Sequence, residues 1–190
     1  LTLVLTAYVF HIPMSLFGGQ GYVHIGDVVI YLGASLLPME YACLTAAVGG
    51  GLADILCGSA IWAPWTIVIK ALIATCFTSK GRKLLVKRNY IALPIACGIT
   101  VLGYYLAESI LYGSFITPIY SIIGNVIQGV VSSVLYIALA LLLDKINIKN
   151  FVILRKSHLL KQNTENNINF IIINLAHRTK TGQIKLYKKN

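Results

Sequence analysis

The sequence predicts an all-α membrane protein of six transmembrane helices with both termini in the cytoplasm. Three observations predict it. The chain has 190 residues, 57% hydrophobic and 12% charged, which is too apolar for an ordinary soluble domain. Its apolar residues fall into six runs separated by short polar or glycine-rich connections. Its charge is segregated: residues 1–79 hold one base, Lys70, against Asp27, Glu40 and Asp54, whereas residues 145–190 hold ten bases and one acid, Glu165.

The runs follow in order. Residues 1–17 are apolar but short, since a spanning helix needs about 20 residues. The chain opens at Leu1 without a methionine, and the first span reads as trimmed. Residues 18–24 (GGQGYVH) form a glycine-rich loop. Residues 25–37 are a second, short run ending at Pro38. Residues 39–57 and 61–78 are the third and fourth runs. Residues 80–89 (KGRKLLVKRN) are a basic loop, and residues 90–111 are the fifth run. Residues 112–117 make an uncharged connection to the sixth run, 118–143. With the N-terminus inside, Lys80, Arg82, Lys83, Lys87, Arg88, Lys145 and Lys149 all face the cytoplasm, and loops 1, 3 and 5 carry no Lys or Arg, as the positive-inside rule requires. Two domains are expected: a transmembrane substrate-binding domain over 1–146, and a poorly ordered basic cytoplasmic tail over 147–190. Bases that flank apolar runs are explained by a cytoplasmic membrane face, not by nucleic acid.

The stretch 53–70 (ADILCGSAIWAPWTIVIK) organises the rest. An ionisable residue inside an apolar run costs roughly 2.5–3.5 kcal/mol on insertion scales. Here Asp54 precedes the turn and Lys70 lies inside the next run. They either neutralise each other as a structural pair or serve a ligand. The predicted orientation places His11, Asp27, Asp54, Lys70, Glu108, Asn125 and Gln128 in the outer half, and a ligand site open to the outside would gather them so.

Helical spacing aligns these residues in stripes. Ser121, Asn125, Gln128 and Ser132 follow a 4-3-4 rhythm. Trp62, Thr66 and Lys70 repeat every four, as do Asp27, Tyr31 and Ser35, and Tyr104, Glu108 and Tyr112. Polar stripes in lipid must face protein or water. Together with Trp65 they describe a pocket for a small, flat, polar molecule. Tyr112 and Tyr120 also fit an interfacial aromatic belt. Gly18, Gly19, Gly21, Tyr22 and His24 form a loop able to gate such a site. Ala42, Ala46 and Gly50 form a small-residue row for close helix packing, within the chain or against another subunit.

Other chemistries are absent from the sequence. Cys43, Cys57, Cys76 and Cys97 lack metal-ligand spacing and read as apolar packing residues. There is no phosphate-binding glycine loop with Lys-Ser/Thr, no HExxH and no GxSxG. No nucleophile sits beside a base. The sequence therefore predicts no enzyme, no metal and no cofactor.

The segments GGQGYVHIGDVVIYLGASLLP, GGGLADILCGSAIWAPWTIVIKALIA, YYLAESILYG and GNVIQG, in this order, resemble the substrate-specificity (S) subunit of energy-coupling factor (ECF) vitamin transporters over residues 1–146. The resemblance implies a bacterial cell-membrane protein that binds a vitamin or vitamin precursor in its outer half. It also implies partners: a transmembrane coupling subunit and two cytoplasmic ATPases. The family often carries an Ala-xxx-Ala docking motif on span 1, but here Ala7 has Leu3 four residues before it. The alternative is a standalone secondary carrier or another polytopic protein without ATPase partners. Such carriers often show inverted repeats, and halves 1–79 and 80–146 show none.

Overall fold

The computed structural model describes residues 11–13, 22–24, 26–152, 162 and 164–173. Five α-helices dominate: α1 (Asp27–Leu36), α2 (Met39–Leu56), α3 (Ala63–Cys76), α4 (Lys87–Tyr112) and α5 (Ile119–Lys145). A two-stranded ribbon, β1 (His11–Pro13) and β2 (Tyr22–His24), precedes them. The chain divides into two units, residues 1–147 and 148–190. The second contributes helical stretches at 148–152 and 164–173.

Local chemistry sets the helix ends. Pro38 separates α1 from α2, because it cannot extend the first helix but opens the second. The turn after α2 places Gly58 at φ 78°, a left-handed conformation that glycine takes without strain. A single 3₁₀ turn, Ala60–Trp62, then leads into α3, whose first turn holds Pro64. Helix α4 stops at Gly113, in the left-handed region at φ 62°. Helices α4 and α5, of 26 and 27 residues, are both long and apolar enough to cross a membrane. Helix α1 has 10 residues and rises only about 15 Å, half a hydrocarbon core.

The predicted runs 39–57, 61–78, 90–111 and 118–143 coincide with α2 to α5 to within a few residues. The first run is a strand, not a helix, at its described residues. His11–Pro13 is a strand, antiparallel to Tyr22–His24, with His11 opposite His24. Pro13 offers no N–H and its ring clashes with a helix interior, so an apolar count alone carries the helix too far. Residues 1–10 and 14–21, including Gly18, Gly19 and Gly21 of the predicted gate, lie outside the described residues.

The packing is polar inside and apolar outside. Asp27, Ser35, Thr66, Lys70, Asn89 and Thr100 are fully buried, while Leu44, Ile55, Leu72, Ile95, Leu102, Ile123 and Val134 are exposed. Small residues let the helices close. The Ala42, Ala46, Gly50 row is buried within the chain. A Cβ on Gly50 would lie 3.0 Å from Lys70 Cγ and 3.0 Å from Thr66 Cγ2. A Cβ on Gly103 would meet Ile69 Cγ1 at 2.7 Å, which brings α4 onto α3.

One end of the bundle is tied by Asn89. Its Nδ2 donates to Ser35 Oγ (3.1 Å), Thr78 O (3.0 Å) and Leu84 O (2.8 Å), and its Oδ1 accepts the Thr78 N–H (2.8 Å). Asp144 accepts the Leu84 and Leu85 N–H groups at 2.7 and 3.2 Å. Residues 78–86, including the bases of that loop, are thereby fixed to α1, α4 and α5. Each buried polar group left without its partner costs about 1–3 kcal/mol. Asn89→Leu is therefore expected to lower the melting temperature in detergent by at least about 4 °C. Differential scanning fluorimetry of the purified variant checks it.

Candidate functional site

Lys70 lies seven residues into α3 and is fully buried, where an unpaired ammonium would be strongly disfavoured. Its Nζ donates to Asp27 Oδ1 at 2.6 Å, with both side chains fully buried. Gln128 Nε2 donates to the other oxygen, Asp27 Oδ2, at 2.9 Å. One carboxylate thus joins α1, α3 and α5. The ammonium also stands 5.4 Å from the centroid of the Tyr104 ring on α4, within cation–π range.

The remaining α3 stripe continues toward the Cys57–Ser59 turn. Thr66, one turn from Lys70, shares a 3.1 Å hydrogen bond with the Tyr104 hydroxyl. Trp62, one turn further, meets Tyr104 and Tyr112 edge to face, at centroid distances of 6.4 and 6.3 Å. A second acid stands beside these rings. Glu108, on the Tyr104–Tyr112 stripe of α4, is 2% exposed, and its Oε2 accepts the Ser121 hydroxyl at 2.6 Å. Among the described residues no cation pairs with Glu108. Asn125, one turn beyond Ser121 on α5, is 3% exposed, and its Nδ2 has no hydrogen-bond partner among the described residues.

The structure thus brings together Asp27, Trp62, Thr66, Lys70, Tyr104, Glu108, Asn125 and Gln128. The remaining candidates make other contacts. Tyr31 packs against Phe77 (4.8 Å, stacked) and edge-on to Tyr136 (5.9 Å). Trp65 is half-buried on α3 and makes no ring contact with Trp62, Tyr104 or Tyr112. Asp54 is buried near the end of α2, and its carbonyl accepts the Ser59 N–H at 2.8 Å, closing the turn. For the 53–70 stretch the structure adds an acid from outside it: the Lys70 ammonium meets Asp27 of α1 at 2.6 Å. Short sequence separation made Asp54 conspicuous, whereas the parallel approach of α1 and α5 carries Asp27 to the ammonium. Tyr22 and His24 of the predicted gate lie in β2. No His, Cys, Asp or Glu cluster able to hold a metal ion occurs among the described residues. Sequence reading missed the Ser35–Asn89–Tyr136 hub; Ser35 lay on a recognised stripe, but Asn89 sat among the bases of a loop.

An apolar exterior around a charged, hydrogen-bonded and aromatic interior defines a membrane-embedded binding protein. Over residues 1–145 the chain matches the family described as ECF-type riboflavin transporter, S component, and it belongs to that family. The match ends where α5 ends, at Lys145. The chain is also 32% identical, over 120 residues, to a protein of Pyrococcus woesei described as an uncharacterized protein in a gap 3′ region. That alignment covers 59% of this chain and 77% of the relative. The protein is accordingly an S component, the substrate-binding subunit of a vitamin transporter in the membrane, and not an enzyme.

Removing one partner of a buried ion pair costs about 3–5 kcal/mol, because the other charge stays buried. Lys70→Met should therefore lower thermal stability and monodispersity sharply. Asp27→Asn combined with Lys70→Met should recover most of the loss, and Asp54→Asn in that background should not. Size-exclusion profiles and melting temperatures of the three variants in detergent check the pairing.

Proposed function

We propose that residues 1–146 form a six-span subunit of a bacterial cell membrane, with both termini cytoplasmic, that captures a vitamin-like molecule from outside with high affinity. A transmembrane coupling subunit and two cytoplasmic ATPases then complete uptake. The observation that carries this reading is the cluster at the Cys57–Ser59 end of α3: Trp62, Tyr104 and Tyr112 offer ring faces, and Glu108 and Asn125 offer hydrogen bonds beside them. Asp27, Lys70 and Gln128 floor it, and Asp54, Tyr31 and Trp65 support its surroundings. A flat polar ring suits such a surface. Riboflavin is the first substrate to try, because the family description names it. The β1–β2 ribbon would cover the entrance. The bases of residues 80–88 and of the tail support a cytoplasmic position for that end.

Membership of the S-component family supports dependence on partner ATPases. Cells carrying the coupling subunit and ATPases are expected to accumulate the vitamin only when this chain is present. Proteoliposomes holding this chain alone should show no uptake under an imposed ion gradient. Gradient-driven accumulation by the chain alone would instead favour a secondary carrier.

Native cysteines report the topology. Cys57 lies at the α2–α3 turn and Cys76 at the opposite end of α3. In intact cells, a variant retaining only Cys57 should react with a membrane-impermeant maleimide, and one retaining only Cys76 should react only after permeabilisation. The reverse pattern would invert the proposed orientation.

A further inference from the structure

We propose that the tail helix over residues 164–173 is a membrane-surface element. It lies in the interface of a bilayer containing anionic phospholipid, with its isoleucines against the acyl chains and the bases on either side of it among the headgroups. This goes beyond the substrate reading above, which stands unchanged if it fails. Three observations converge. Ile168, Phe170, Ile171, Ile172 and Ile173 are from 50% to 68% exposed, and apolar side chains this open, gathered on one short helix, mark a surface that binds something. Ile168, Ile171 and Ile172 stand at i, i+3 and i+4 and share one helical face, with Asn166 and Asn169 opposite it. The last turn, residues 170–173, is apolar all round. The second observation is charge. Residues 145–190 hold ten bases and one acid; Arg155, Lys156 and Lys161 precede the helix in sequence, and Arg178 and Lys180 follow it. The third is continuity with the bilayer. The tail follows α5, which is long and apolar enough to cross a membrane and ends at Lys145. Residues 146–163 link the two and, even fully extended, reach no more than about 60 Å, so lipid is always close to the tail.

The alternatives satisfy fewer of these features. A further crossing of the membrane needs about 20 apolar residues, and the apolar stretch here is far shorter, broken by Asn169 and preceded by Asn166 and Asn167. The helix-bundle unit offers the tail no counter-charge: residues 80–88 hold five bases and no acid, and Asp144 already accepts the Leu84 and Leu85 N–H groups. An acidic protein surface would answer the bases and leave the isoleucines in water. An anionic bilayer answers both with one surface: the acyl boundary covers the apolar face, and the headgroup charge draws the flanking Lys and Arg.

The test places the full wild-type chain in nanodiscs of phosphatidylcholine alone or of phosphatidylcholine mixed equally with phosphatidylglycerol. Nanodiscs expose both leaflets, so the result does not depend on the orientation of the chain. Hydrogen exchange read by mass spectrometry follows residues 164–173. Exchange there is expected to slow by at least about tenfold with phosphatidylglycerol, a change that two bases near an anionic surface supply. The difference should shrink in about 1 M salt, where the screening length falls to roughly 3 Å. A photoactivatable diazirine on the acyl chain of the phosphatidylglycerol should label the same segment. Ile168→Asn combined with Ile172→Asn, both at exposed positions, keeps every base and should abolish protection and labelling together. Equal exchange in the two lipids, or no acyl-chain label on residues 164–173, would overturn the proposal, and neither measurement needs a variant to fold. Labelling retained in the double variant would overturn it as well. So would protection that appears only when the coupling subunit and ATPases are added, which would assign the helix to a protein partner.

Discussion

The Asp27 carboxylate is the tie on which the bundle depends. Its two oxygens hold two different helices: Oδ1 takes the Lys70 ammonium of α3, and Oδ2 takes the Gln128 amide of α5. In a bundle whose exterior is apolar, burial of hydrocarbon cannot by itself choose which helix faces which, because lipid is as apolar as leucine. Polar contacts and small-residue rows supply the choice. Gly50 leaves room for the Lys70 stem against α2, so the ammonium can reach across to α1. A Cβ in place of that glycine's hydrogen would press on the Lys70 stem and on Thr66, each at 3.0 Å.

The tie also sets a register. Asp27–Gln128 and Ser35–Tyr136 are both separated by 101 residues, so α1 and α5 run side by side in parallel, with matched turns over two helical repeats. Tyr31 and Ser132 fall at the rung between, and both are buried. Short α1 therefore acts as a strut. One end meets the charged floor of the site, and the other meets Asn89, which holds residues 78–86. The Asp27 contacts at one end and the basic loop at the other thus share one helix.

Much of this was legible in the sequence because lipid makes polar residues conspicuous. Stripes at spacings of four and three along four apolar runs named Asp27, Thr66, Lys70, Glu108, Asn125 and Gln128, and the structure buries all six. The boundaries of α2 to α5 were legible for the same reason: Pro38, Pro64, Gly113 and Pro118 punctuate them. What the sequence hid is long-range pairing. Asp54 and Asp27 are both acids in apolar surroundings, and only the packing of α1 decides that Lys70 meets Asp27. The direction of Tyr31 was hidden too: its place on a polar stripe was right, but its ring follows Phe77 and Tyr136 into an aromatic cluster. The strand at His11–Pro13 was masked by an apolar run, with Pro13 as the signal that outweighed it. Asn89 was lost among bases, because the basic run was read as loop up to residue 89, whereas Asn89 lies in the first turn of α4.

The central claim is that the aromatic and polar cluster above the Asp27–Lys70 pair is where substrate rests. The most direct measurement is an experimental structure of the full chain in a lipid nanodisc, saturated with riboflavin or with the vitamin that co-purifies with it. The account predicts ligand density bounded by Trp62, Tyr104, Glu108 and Asn125, with the Asp27–Lys70 and Asp27–Gln128 contacts intact beneath it. Density elsewhere in the protein, or a ligand that breaks the pair to take Lys70 for itself, would contradict it.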